Sequence, residues 1–225
     1  MALTSQLRHG IALSLGLFIP LAALAQSACN ETQTQVDATP AQVSSFFKAQ
    51  KKTVITFLGY SGAGYQNPEA MLDAARRVLA QYNPSRTIVN IGATAEGIGA
   101  VYELAVQGGF ATTGIVSTLA RANGVALAPC AQRVFFVDDT TWGGVLPGSR
   151  SLLSPTSKAM LAASHTIVAI GGGEVARDEF LAARQTGRKT RFIAADMNHQ
   201  AAIDKALKKG QRAPTEFRGA LAAAL

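Results

Sequence analysis

The chain has 225 residues, 48% of them hydrophobic and 16% charged, and a formal net charge of +7. That balance suits a single globular domain with a sizeable core and excludes a disordered or low-complexity chain. The basic residues are scattered, with short clusters at Lys51-Lys52, Arg184 to Arg191 and Lys205 to Arg212 and no interleaved aromatics. Nucleic acid is therefore not an expected partner, and most of these charges read as a solvated surface.

Residues 1–25 read as a secretory signal peptide: Arg8 supplies the positive start, Ile11 to Leu24 the apolar stretch, and Ala23-Leu24-Ala25 a small-residue cleavage site before Gln26. The apolar run is shorter than a spanning helix needs and Pro20 interrupts it, so no transmembrane segment is expected after processing. The predicted location is outside the cytoplasm, in the periplasm. A lipoprotein ranks second, because Gln26 stands where a lipobox usually has an aliphatic residue before Cys29. In an oxidising compartment Cys29 and Cys130, the only cysteines, are expected to form a disulfide. Neither has a neighbouring His, and no metal site or other cofactor is expected.

Residues 26–51 are expected to be a polar linker, Asn30 to Pro40, followed by a helix over Ala41 to Lys51 with Val43, Phe46 and Phe47 at helical spacing. Residues 52–225 form the predicted main domain. Lys52 to Leu58 reads as its first strand, and Gly59-Tyr60-Ser61-Gly62-Ala63-Gly64 as the turn after it. Asn67 caps a helix with Pro68 at its first position, running to about Tyr82 with Met71, Ala74, Ala75, Val78 and Leu79 inward. Thr87 to Ile91 is a second strand, ending in the turn Gly92-Ala93-Thr94-Ala95-Glu96-Gly97-Ile98-Gly99 and a helix through Ala105.

Thr112 to Val116 and Arg133 to Val137 read as further strands, separated by a short helical piece and the loop that bears Cys130. A polar loop, Asp138 to Arg150, carries the only tryptophan, Trp142, and Pro155 to Ala163 is a short helix. Thr166 to Ile170 reads as the central strand, broken by Gly171-Gly172-Gly173 before a helix that reaches about Thr186. Thr190 to Ala194 is a sixth strand, and helices over Ala201 to Lys209 and Pro214 to Leu225 close the chain. Strands alternating with helices at this spacing predict an α/β fold: a Rossmann-like three-layer sandwich around a mostly parallel sheet.

In such sheets ligands bind at the carboxyl ends of the strands, where all three glycine-bearing turns fall. Gly59, Ser61, Gly62, Gly92, Thr94, Gly97, Gly171, Gly172 and Gly173 are the candidate ligand-binding residues, since glycines let a ligand approach free backbone N–H groups. For Ser61, Thr94 and Glu96 the competing reading is capping or turn stabilisation. Asp138 and Asp139 are weighed as ribose ligands, and Trp142 and Tyr60 as stacking faces. His165 and His199 have no Ser or Cys partner in view and read as structural.

Three segments resemble the SLOG/LOG-like Rossmann superfamily, which includes the cytokinin-activating phosphoribohydrolases, the proteins often misnamed lysine decarboxylases and the DNA-processing protein that protects incoming single strands. Gly59-Tyr60-Ser61-Gly62 resembles its first Gly-Ser-rich turn; Gly92 to Gly99 with Gly108-Gly109-Phe110 and Thr113-Gly114-Ile115-Val116 resembles its second turn, helix and third strand. Ser157-Lys158-Ala159-Met160 through Gly171-Gly172-Gly173 to Glu179 resembles the segment leading into its phosphate-binding P-G-G-x-G-T-x-x-E motif. The resemblance implies a nucleotide-like small-molecule ligand, the possibility of a homodimer, and Glu179 as the catalytic carboxylate if an N-glycosidic bond of a nucleoside 5′-monophosphate is hydrolysed. It departs from the motif at Val175 and Ala176, which replace Gly-Thr, and at Ser157, which replaces the arginine of the hydrolases' Arg-Lys pair. The alternative is a binding or sensing module that retains the crevice without the chemistry.

Overall fold

The computed structural model of the chain describes Cys29 and residues 32–225; the leader expected over residues 1–25 lies outside the described residues. Seven strands, β1 (Thr34–Asp37), β2 (Thr53–Gly59), β3 (Thr87–Ile91), β4 (Ala111–Ser117), β5 (Arg133–Val137), β6 (Thr166–Ile170) and β7 (Lys189–Ile193), form one sheet in the order β1-β5-β4-β3-β2-β6-β7. Every pairing is parallel. Among the described residues eight α-helices accompany them: α1 (Pro40–Gln50), α2 (Pro68–Leu79), α3 (Val101–Gln107), α4 (Leu119–Ala122), α5 (Pro155–Ala163), α6 (Glu174–Gln185), α7 (His199–Lys208) and α8 (Gly219–Ala222). The fold is the Rossmann-like α/β sandwich that the alternation of strands and helices predicts.

Alternation along the strands sorts the core into two layers. Ile55, Phe57, Val89, Ile91, Val168 and Ile170 point to the face covered by α2 and α3, through Met71, Val78, Val101 and Tyr102. Val54, Ile88, Phe135 and Val137 point the other way, onto Val43 and Phe47 of α1 and Met160 of α5. Leu58, Ile167 and Ala169 meet Ala176 and Phe180 of α6 and Leu221 of α8 on that same side. With both faces covered, β3 and β6 are buried at every residue. A polar ladder crosses the middle of this sheet: Asn90 of β3 donates to Thr56 of β2 at 3.3 Å and accepts from Thr113 of β4 at 3.0 Å. These three are register partners, so the ladder penalises any slip of the central strands.

Helix starts follow local chemistry. Thr39 and Gln42 form a capping box at α1, Asn67 accepts the Ala70 N–H at α2, and Ser154 accepts the Ser157 N–H at α5; in all three a proline occupies the first turn. The five residues expected inward on α2 are all buried.

Three expectations are corrected. Part of the supposed linker is β1, an edge strand that adds to β5; its sequence TQVD is polar because only Val36 is half-buried. Thr166 to Ile170 is not the central strand, since β6 lies next to the edge strand β7 and β3 occupies the middle. The closing helix over Pro214 to Leu225 shrinks to α8, because Gly219 takes φ +73°, outside the helical region, and the segment before it is irregular.

Cys29 and Cys130 are joined by a disulfide, with their Cα atoms 4.6 Å apart. It ties the chain ahead of β1 to the loop ahead of β5, and Gln33 adds hydrogen bonds to the carbonyls of Ala128 and Ala131. Among the described residues no helix is long and apolar enough to cross a membrane.

Candidate functional site

From β2 the sheet grows through β3, β4 and β5 in one direction, and β6 then returns to the other side of β2. This reversal is where open α/β sheets leave a crevice beyond their carboxyl ends. A cavity of ≈ 400 Å³ lies there. Its base is Phe57, Ile91 and Ile115, from β2, β3 and β4; its walls are the turns at Gly59 to Gly62 and Gly92 to Glu96, Leu127, and the first turns of α5 and α6. Trp142, 52% exposed, stands at its mouth.

The structure brings together Gly59, Ser61, Gly62, Gly92, Thr94 and Glu179 around this cavity. Thr94 Oγ1 closes a small turn on Glu96, accepting its N–H at 3.2 Å, which is the turn-stabilising role weighed for it. Gly97 has another task. At φ +59° it passes against the Tyr60 carbonyl, which a side chain would strike, while Ile98 N–H donates to that carbonyl at 2.7 Å.

Gly171 and Gly172 are also close-packed rather than open. A Cβ on Gly171 would lie 2.5 Å from the Tyr60 ring and 2.8 Å from the Ala195 carbonyl, and one on Gly172 would lie 2.7 Å from Ala176 Cβ. The Gly172 carbonyl accepts the Leu221 N–H from α8 at 3.1 Å. Gly173 is the N-cap of α6 with open space beside it and no side-chain cap. Tyr60 is buried beneath these residues, edge-on to Tyr65, so it serves the core and not a stacking platform.

Glu179 sits on the inner face of α6, 3% exposed and lining the cavity. Ser157 Oγ donates to its Oε1 at 2.6 Å and accepts the Gly144 N–H at 2.7 Å. Burial pushes the Glu179 carboxyl up to about 7; the Ser157 hydrogen bond pulls against this, and the charge of Asp178 adds to it. Ser157 belongs to the pair where the resemblance places an arginine, so a neutral hydroxyl meets the carboxyl there.

The loop after β5 builds the roof. Asp139 Oδ2 accepts the Thr156 N–H at 2.9 Å, and its Oδ1 accepts the Thr141 N–H at 2.8 Å. Burial works against its ionisation, yet these N–H groups with the Ser154 and Thr156 hydroxyls hold the carboxyl below its usual range. Thr156 Oγ1 lies among those groups but makes no hydrogen bond of good geometry, and Thr156 lines the cavity. Asp139 thus organises the loop and caps α5; Asp138 is exposed. The loop then crosses α6 through Gly143 and Gly144, both at positive φ, and Val145 N–H donates to Asp178 Oδ2 at 2.9 Å.

The roles of Gly143, Gly144, Thr156 and Asp178 went unread in sequence, although the Gly143-Gly144 doublet marked a tight backbone approach. His165 Nδ1 accepts the Val54 N–H and His199 stacks on Phe217, so both histidines are structural, as expected. No group of His, Cys, Asp or Glu among the described residues could hold a metal ion.

No protein-family model matches the chain, and neither does any curated protein. Among solved structures it is similar to TM1055, a structural-genomics target, at 18% identity and TM-score 0.43, over 61% of this chain and 72% of that one. It is also similar to the molybdenum cofactor carrier protein of Chlamydomonas reinhardtii, at 17% identity and TM-score 0.44, over 77% of this chain and 95% of that one. At such identities a likeness extends no further than the fold, which the strand order of this chain already establishes.

Proposed function

We propose that this chain is an exported small-molecule binding protein, which holds a nucleotide-derived ligand in the crevice at the carboxyl ends of β2, β3 and β4 without hydrolysing it. The observation that carries this reading is the Ser157–Glu179 hydrogen bond. Hydrolysis of an N-glycosidic bond calls for a carboxylate that stays ionised to stabilise an oxocarbenium-like centre. Glu179 is buried with an uncharged partner, no lysine or arginine among the described residues lines the cavity, and burial pushes its carboxyl up to about 7. The crevice itself is intact, largely apolar and of a size that suits small ligands. Export is supported by the leader-like first 25 residues and by a disulfide that consumes both cysteines.

Hydrolysis is the second reading, because a cavity carboxyl titrating near 7 is also what a general acid or base needs. Thermal unfolding of the oxidised protein against nucleosides, nucleoside monophosphates, cyclic nucleotides and dinucleotides, with chromatography of each mixture for released base, separates the two. A ligand at about 100 times its Kd stabilises by about 2.7 kcal/mol. Stabilisation without base release is the expected result; base release that disappears in Glu179→Gln establishes the hydrolase instead. No stabilisation by any member overturns both.

A further inference from the structure

We infer that the ligand of this crevice carries no phosphate: the site takes a nucleoside or nucleobase, because the positions that would receive a phosphate are filled by the protein or guarded by carboxylates. The inference rests on the binding reading above and specifies the ligand's charge.

The turn after β6 is the first place to look for a phosphate, and it is occupied. Tyr60 packs its ring on Gly171 and donates its hydroxyl to the Ala195 carbonyl at 3.1 Å. Gly219 lies over the Gly172 carbonyl and the Tyr60 hydroxyl, where its own missing side chain leaves just enough room, and Leu221 behind it is fully buried. At Gly171 and Gly172 an anion could approach this turn only by displacing Tyr60 and α8, which leaves Gly173, at the start of α6, as its open end.

The two places that remain open are electrostatically wrong for an anion. α6 begins with Glu174, an acidic residue at the helix's positive pole. The turn after β3 carries Glu96, whose carboxylate lies beside Gly62 at the cavity wall. Among the described residues, Glu96 and Glu179 are the only acidic or basic side chains that line the cavity. In a chain with 21 lysines and arginines against 14 acidic residues, the lack of any cation among the described residues at the cavity is a local arrangement and not a consequence of composition.

What the crevice offers suits the uncharged part of a nucleotide. Apolar walls and the half-exposed Trp142 ring present surface for a flat heterocycle. Ser61 and Thr156 are polar lining residues, and Thr156 Oγ1, buried near Asp139 without a hydrogen bond of good geometry, is a group that a ligand's polar atom would satisfy.

The test is calorimetric titration of the full oxidised protein with adenosine, guanosine, cytidine and uridine, each beside its 5′-monophosphate, with inorganic phosphate as a competitor. The expected result is that the nucleoside that binds best does so at least about tenfold more tightly than its monophosphate, and that millimolar phosphate does not displace it. The double variant Glu96→Gln/Glu174→Gln, altered only at exposed side chains, should narrow that gap through tighter monophosphate binding. A monophosphate that binds the wild type as tightly as its nucleoside, or more tightly, overturns the inference and leaves the binding reading standing. Binding of neither class, in a protein shown to be folded by its unfolding transition, overturns both.

Discussion

Ser157 Oγ lies 2.6 Å from Glu179 Oε1 inside the crevice, so the hydrogen-bond partner of a buried carboxyl is a hydroxyl that is itself held by the Gly144 N–H. A carboxyl so placed binds its proton more tightly in the folded chain than in the unfolded one. Its ordinary value is 4.5 and its folded value is about 7. Wild-type stability should therefore be undiminished by this group below pH 4.5, fall as the pH rises towards 7, and level off above it, the total loss being about 3 kcal/mol. Glu179→Gln removes the titration. Urea unfolding of both proteins between pH 4.5 and 8.5 should show the variant gaining on the wild type over this interval; a difference that does not change with pH would mean that Glu179 is ionised throughout.

The Ser157 hydroxyl opposes the upward shift of Glu179. Ser157→Ala should consequently move the Glu179 midpoint above 7, as followed by the chemical shift of its carboxyl carbon. The same change leaves the Gly144 N–H without its acceptor in a buried setting and should destabilise the fold by about 2 kcal/mol. Ser157→Thr keeps the hydroxyl and should restore the midpoint more fully than the stability, since its extra methyl must fit where Ser157 is completely buried.

Much of the fold was legible because its strands announce themselves. The strands Thr87–Ile91, Arg133–Val137 and Thr166–Ile170 and the helix Pro155–Ala163 have the bounds their apolar runs and caps predict. β1 escaped notice because an edge strand with one half-buried side chain carries no apolar pattern. Half of the candidate site was legible for a topological reason: Gly59, Ser61, Gly62, Gly92 and Thr94 follow strands whose carboxyl ends meet at one crevice. Gly171 and Gly172 show the limit of such reading, since a missing Cβ admits a ligand or a neighbouring helix equally well, and here it admits Tyr60 and α8. The roof residues Gly143 and Gly144 lie in a loop with no periodicity, and their role emerges only once Ser157 and Asp178 are in place to receive its N–H groups.

Gly92 and Gly97, five residues apart on one turn, should behave oppositely. Gly97→Ala drives a methyl into the Tyr60 carbonyl at a backbone angle of +59°, and should cost more than about 2 kcal/mol, seen as a clear drop in Tm. Gly92 has nothing within 4 Å of a Cβ position and lines the cavity. Gly92→Ala should leave the unfolding transition within about 0.5 kcal/mol of wild type while weakening ligand binding. If Gly92→Ala binds as the wild type does, the cavity wall at β3 is not in contact with the ligand.

The disulfide closes a loop across a sequence separation of 101 residues, and β1 lies just inside it. In the chain-entropy model, cross-linking a loop of about 100 residues stabilises by about 4 to 5 kcal/mol. Among the described residues, a four-residue edge strand, the Gln33 side chain and the exposed Asp37–Arg121 ion pair hold this end of the chain to the rest of the fold. Cys29→Ser/Cys130→Ser should thus lower Tm by roughly 10 to 15 °C for a domain of this size. The loss should also be uneven: hydrogen exchange should rise first at Thr34 to Asp37 and at the β5 backbone they cover, while the cavity residues on β2, β3 and β4 stay protected. Uniform loss of protection would instead mean that β1 and the crevice open as one cooperative unit, in which case reducing conditions would abolish ligand binding together with the edge strand.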